Sequence, residues 1–198
     1  MIELAVLGLL KEQHLHGYEL RKRLGELPGG RSAISFGSLY PALNRLERGG
    51  MVKAVESSTR TDRRAPSSGS LVGELAAFKA RHLPATGGRS KKVYGLTAAG
   101  ETKLVELLTD PQPSDERTFA LKVAFCRHLT TAQRLELFER RRAELLARVA
   151  ERRRGPERTL DRYVRMLRER EDDNLSNDLA WLERLIADEN QHVEENPS

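Results

Sequence analysis

Ser35-Phe36-Gly37-Ser38-Leu39-Tyr40-Pro41-Ala42-Leu43-Asn44-Arg45-Leu46-Glu47-Arg48-Gly49-Gly50-Met51-Val52 reads as a short helix that opens on small polar residues, closes at a double glycine and runs straight into a strand. Leu39, Leu43 and Leu46 fall at i, i+4 and i+7, the spacing of one buried helical stripe. Gly37, Ser38, Pro41, Asn44, Arg45 and Arg48 are left on or near the opposite face. A helix with a small N-terminal end can enter a DNA major groove closely, and Ser, Asn and Arg are side chains that read base edges. Ser35 fits the N-cap. Pro41 removes a backbone donor inside the helix, so it marks either a tight first turn or a slight kink.

The segments on either side complete a small domain. Residues 2–12 form an apolar helix, His14-Leu15-His16-Gly17 breaks it, and a second helix runs from Tyr18 to Leu27 with Leu20 and Leu24 inward and Arg21, Lys22 and Arg23 outward. Pro28-Gly29-Gly30 ends that helix. Met51 to Ser57 and Ser90 to Leu96 alternate apolar and polar residues, the pattern of two half-buried strands. Two such strands after a third helix read as the wing of a winged helix, and Thr97 caps a fourth helix through Leu108. The wing tip is a long insertion, residues 58–89. It carries Arg60, Arg63 and Arg64, and Leu71, Leu75 and Phe78 stand at helical spacing within it.

Asp110-Pro111-Gln112-Pro113-Ser114 reads as a linker, after which the composition changes to long, charged helices. One spans Thr118 to Leu129, a second Ala132 to Arg154 behind a Thr130 or Thr131 cap. A third runs from Glu157 to Asn190 after the Gly155-Pro156 break, with Pro156 placed as its first residue. Leu160, Val164, Leu167, Leu179, Leu182 and Ile186 form a narrow stripe on that last helix, the pattern of coiled-coil packing against another helix or another chain, and are the candidate dimer interface. The expected fold is mainly α: residues 1–110 as a winged helix-turn-helix with a two-stranded β-wing, residues 111–198 as a long-helix dimerisation domain.

Composition narrows the function. Of 198 residues, 38% are hydrophobic and 32% charged, which suits helices with long solvated faces. Residues 1–110 hold 17 Lys/Arg against 11 Asp/Glu, and residues 111–198 hold 17 against 18, so the net +5 charge sits entirely in the first part. A basic domain on a neutral one points to a polyanion partner for the basic part. The apolar run Leu4 to Leu10 is too short to span a bilayer and lacks the flanks of a signal peptide, so a cytoplasmic protein with no membrane partner is expected. Cys126, the single cysteine, reads as a packing residue. His14 and His16 lack further ligands nearby, so no metal and no cofactor are expected. Phosphate-loop, nucleophile-elbow and zinc-helix motifs are all missing, which argues against an enzyme.

Four collinear stretches resemble the PadR family of bacterial transcriptional regulators: Leu4-Ala5-Val6-Leu7-Gly8-Leu9-Leu10, His16-Gly17-Tyr18-Glu19-Leu20, Gly37-Ser38-Leu39-Tyr40-Pro41-Ala42-Leu43-Asn44-Arg45-Leu46-Glu47, and Lys92-Val93-Tyr94-Gly95-Leu96-Thr97-Ala98-Ala99-Gly100. Leu121-Lys122-Val123-Ala124-Phe125 and Trp181-Leu182 resemble the longer C-terminal domain of one branch less specifically. The resemblance implies an N-terminal winged helix, a helical C-terminal homodimerisation domain, repression at palindromic operators in double-stranded DNA, and a response to small phenolic or drug-like compounds. It makes Ser35 to Arg48 the recognition helix, puts Tyr40 in the family's tyrosine position, and sets Lys91 and Lys92 on the returning wing strand near the DNA backbone. The wing insertion departs from the family's short tip: it adds phosphate contacts or holds the wing off DNA.

The DNA-binding set is therefore Lys22, Ser35, Gly37, Ser38, Tyr40, Pro41, Asn44, Arg45, Lys91 and Lys92. Ser38, Asn44 and Arg45 are the base readers; Lys22, Arg45, Lys91 and Lys92 face phosphates and should make affinity steeply salt-dependent. Tyr40 has two readings, a hydroxyl on phosphate or a ring packed beneath the helix. Trp181 and Tyr163 are candidates for stacking on an aromatic effector, against the reading of Trp181 as an anchor at the dimer seam. The alternative for the whole chain is a winged-helix module that binds protein without specific DNA affinity.

Overall fold

The computed structural model describes residues 1–27, 36–56, 92–154 and 161–195. The chain divides into two compact units, 1–103 and 104–198. Ser35, Lys91, Leu160 and the 58–89 insertion lie outside the described residues.

The first unit opens with α1 (Ile2–Glu12), in which every residue from Leu4 to Leu10 is buried. An unbroken apolar run has no polar face to give to water, so this helix becomes the centre of the unit rather than its surface. A two-residue strand β1 (Leu15–His16) leads into α2 (Gly17–Glu26), which buries Leu20 and Leu24. Then come α3 (Phe36–Arg48), β2 (Val52–Glu56), β3 (Lys92–Leu96) and the start of α4 (Ala98–Thr109), whose residues from Leu104 on belong to the second unit. α3 packs on α1, α2 and β2 and continues unbroken through Pro41.

The sheet has three antiparallel strands in the order β1-β3-β2. The wing is β2–β3, with Val52 opposite Leu96 and Glu56 opposite Lys92. β1 is additional to the two-stranded wing read from sequence: Leu15 pairs with Tyr94 and His16 with Val93. Two residues are too few to show a period, and the partner strand is far along the chain.

A knot of hydrogen bonds fixes the end of α3. Met51 N donates to Leu46 O (2.9 Å) and Gly50 N to Glu47 O (3.1 Å), with Gly50 at φ +69°. This is a Schellman ending, and Gly50 supplies the left-handed residue it requires. Thr97 Oγ1 accepts from Gly100 N (3.1 Å) to cap α4 and donates to Gly50 O (2.7 Å), while Thr97 N donates to Met51 O (3.1 Å). One threonine thus ties the start of α4 to the turn that follows α3.

The second unit contains α5 (Glu116–Phe125), a 3-10 turn (Cys126–His128), α6 (Thr131–Arg154) and α7 (Arg162–Glu195). Asp115 caps α5 by accepting from Thr118 N (2.8 Å), so that helix starts earlier than Thr118 and ends earlier than Leu129. Thr130 and Gln133 exchange hydrogen bonds at the head of α6, a reciprocal cap. α6 and α7 run antiparallel, as the pairs Arg134–Glu189 and Arg152–Glu171 require. Phe119, Leu121, Phe125, Leu137, Phe138, Leu145, Leu182 and Ile186 are buried.

The start of α7 corrects the sequence reading. Asp161 is not helical, and its carboxylate accepts from Tyr163 N (2.9 Å), so α7 begins at Arg162; the expected start at Glu157 lies outside the described residues. An aspartate whose side chain captures a nearby backbone N–H competes with helix continuation and favours a cap.

Candidate functional site

The outer face of α3 is the candidate interface. Leu39, Ala42, Leu43 and Leu46 are buried, and Gly37, Tyr40, Pro41, Asn44, Arg45 and Arg48 are exposed. Gly37, Pro41, Asn44 or Arg45, and Arg48 follow one another at three- and four-residue steps, so they share one stripe. Ser38 is half-buried at its edge. The helix therefore shows small residues toward its N-terminal end and long hydrogen-bonding side chains toward its C-terminal end.

Tyr40 is 55% exposed, so its ring is not buried beneath the helix. It leans on the start of α2: a Cβ at Gly17 would lie 3.5 Å from Tyr40 Cε1 and 3.6 Å from its hydroxyl. The ring is packed on one side while the residue as a whole stays exposed. Lys22 is exposed on α2, which packs against α3.

Two of the expected cations are engaged by carboxylates that the sequence did not flag. Arg45 Nε and Nη2 both reach Glu3 Oε1 on α1, at 3.2 and 3.1 Å. Lys92 Nζ stands 3.6 Å from Glu47 Oε1, which links β3 to α3. Each pair is partly exposed and so contributes orientation more than stability. Pairs so far apart in sequence leave no periodic signal.

At the head of α2, His16 N donates to Glu19 Oε2 (2.8 Å), and this bond is the main reason the Glu19 carboxyl lies below its ordinary pKa. Tyr18, 60% exposed, stacks on His16 with ring centroids 5.8 Å apart.

The C-terminal candidates separate. Trp181 meets Phe119 edge-on, with centroids 6.4 Å apart, beside a cavity of about 170 Å³ lined by Phe119, Ala120, Leu145 and Leu182. Tyr163 stands 18 residues earlier on the same helix, about 27 Å away at 1.5 Å per residue, so the two rings do not share that cavity. The seam residues also divide. Leu182 and Ile186 are buried within the chain and Leu179 is half-buried, whereas Val164 and Leu167 are exposed. Cys126 is half-buried, and burial pushes its thiol pKa up. Among the described residues no helix is long and apolar enough to cross a membrane.

Basic side chains also gather the segment after α4. Lys122 Nζ donates to Asp110 O (2.9 Å), Arg140 Nη1 to Thr109 O (3.3 Å) and Arg141 Nη1 to Ser114 O (2.9 Å). Cations at a helix C-terminus answer its free carbonyls and its dipole. Burial pushes the Lys122 pKa down, and the charge of Asp110 opposes that.

A helix pair, α2 and α3, followed by a β2–β3 wing defines a winged helix-turn-helix domain. Residues 6–66 match the model of the transcriptional regulator PadR-like family. No curated protein matches the sequence significantly. Among solved structures, the chain is similar to Bacillus subtilis PadR in complex with operator DNA, at 21% identity over 94% of this chain and 98% of that one, with a TM-score of 0.38. B. subtilis PadR in complex with p-coumaric acid gives 21% identity over 96% and 98%, TM-score 0.38. The PadR-like regulator BC1756 from Bacillus cereus gives 20% over 98% and 97%, TM-score 0.36. The likeness to the PadR-like family rests on residues 6–66.

Proposed function

We propose that this protein is a sequence-specific DNA-binding repressor that acts as a homodimer on an inverted repeat and releases it on binding a small aromatic effector. The observation that carries the reading is the exposed stripe on α3, in a domain that matches a transcriptional regulator family. Gly37 and Pro41 allow close approach to the groove, and Ser38, Asn44 and Arg45 read base edges. Lys22, Tyr40, Lys91 and Lys92 hold phosphates. Two copies place their α3 helices in successive major grooves, about 34 Å apart along the duplex. The exposed Val164 and Leu167, with Leu160, belong to the dimer contact. An effector that changes the spacing of the two heads by a few Å prevents both from docking at once.

The test is recovery and sequencing of genomic fragments bound by the purified protein at near-physiological salt. A shared inverted repeat, lost with Asn44→Ala, supports the reading. Binding without an enriched motif that vanishes as salt rises overturns it in favour of a protein-interaction module.

A further inference from the structure

We propose that the cavity between α5, α6 and α7 is a binding site for a single-ring aromatic cation. This deepens the effector reading above by assigning the place and the charge of the ligand.

Size sets the first limit. The cavity holds about 170 Å³, and an apolar cavity of about 150 Å³ accepts one benzene ring. Its floor is apolar and buried: Phe119 is 6% exposed, Leu145 2% and Leu182 0%. Trp181, 41% exposed and edge-on to Phe119, forms the outer wall, so an entering ring meets an indole and a phenyl at right angles.

Charge sets the second limit. Among the described residues Arg141 is the one cation lining the cavity, and it is already engaged. Its Nη1 donates to Ser114 O (2.9 Å) and Glu144 Oε2 (3.1 Å), and its guanidinium lies 5.0 Å from the Phe119 ring centre. The exposed rim carries two carboxylates, Glu116 and Asp178, neither with an ion-pair partner among the described residues. Each stands three residues before an aromatic of the cavity, Glu116 before Phe119 and Asp178 before Trp181, and so on the same helix face one turn away. Arg148, on the adjoining groove, pairs with neither. An aromatic ring seated against Phe119 and Trp181 would hold a positive group at the rim, where carboxylates and the indole face both attract it.

The test titrates the full-length protein with benzyltrimethylammonium and follows the emission of Trp181, the only tryptophan. Benzoate and tetramethylammonium are the controls. A saturable change with the aromatic cation, weakened about tenfold by E116Q with D178N, supports the site. The two substitutions are at exposed positions, and an unchanged emission spectrum without ligand reports an intact fold. Equal or tighter response to benzoate, a response that survives the double substitution, or no saturable response overturns the proposal. So does a cation response that disappears as protein concentration rises, which would mean that a second copy covers the cavity. No DNA enters this experiment, so its failure leaves the DNA-binding reading standing, and failure of that reading leaves this one.

Discussion

Arg45 directs both Nε and Nη2 to a single oxygen of Glu3, joining the last turn of α3 to the first turn of α1 across 42 residues of sequence. The arginine proposed to read DNA is therefore already aimed and partly neutralised. Engaging a phosphate or a guanine requires it to leave the carboxylate. Glu3→Gln is expected to raise DNA affinity severalfold while changing stability by less than about 1 kcal/mol, since both side chains are partly exposed. Fluorescence anisotropy on a bound genomic fragment at fixed salt measures the first, thermal melting the second. The gain should shrink in an Arg45→Ala background. An equal gain there would mean that Glu3 repels DNA directly instead of restraining Arg45.

Gly100 lies against the turn that ends α3. A Cβ there would fall inside contact distance of the Met51 carbonyl oxygen and 2.6 Å from Leu96 Cδ1. Helix propensity alone would make Gly100→Ala favourable by about 1 kcal/mol. The clash is with backbone that also accepts from Thr97 N, and it cannot move without breaking that bond. Overpacking of this kind costs about 3 kcal/mol, so the substitution is expected to destabilise by about 2 kcal/mol net. Urea denaturation monitored by circular dichroism decides it, and a stabilised variant would refute the account.

That glycine also shows what sequence could and could not supply. The stripe of α3, its double-glycine ending and the Thr97 cap were legible because each rests on a local rule: a period of 3.6, a left-handed residue, a hydroxyl at a helix start. β1, the Glu3–Arg45 pair and the grip of Lys122, Arg140 and Arg141 on residues 109–114 were not. They join residues that only the tertiary fold brings together, and a two-residue strand or a lone buried lysine has no pattern of its own. The last helix failed for a different reason. Its apolar spacing continues upstream to Leu160, but Asp161 captures the Tyr163 N–H and sets the start. A local polar competitor there outweighed the hydrophobic period.

Acid should weaken both units through their helix caps. The His16 N–H holds the Glu19 carboxyl below its ordinary 4.5, and the Thr118 side chain and N–H hold Asp115 below 3.8. A depressed carboxylate pKa adds stability that is complete above the unfolded value and is lost as pH falls through the folded one. Stability is thus expected to decline from about pH 4.5 downward. Glu19→Gln with Asp115→Asn should flatten that part of the profile of urea midpoint against pH. An acid limb unchanged by the pair would place its cause in other carboxylates.

The Arg134–Glu189 contact between α6 and α7 should matter far more than the Lys11–Glu101 pair, although both are ion pairs at 2.8 Å. Arg134 and Glu189 are only 20% and 19% exposed. Arg134 Nε donates to Glu189 Oε1, Nη1 to Leu129 O and Nη2 to Thr131 Oγ1, so one side chain closes the 3-10 turn, the head of α6 and the far part of α7. Arg134→Ala leaves a half-buried carboxylate and a carbonyl without that donor, an expected loss of about 2 kcal/mol. Lys11 and Glu101 are 34% and 53% exposed, and Lys11→Met should cost less than about 1 kcal/mol. Matched urea melts of the two variants make the comparison. Equal losses would show that burial is not what separates the two pairs.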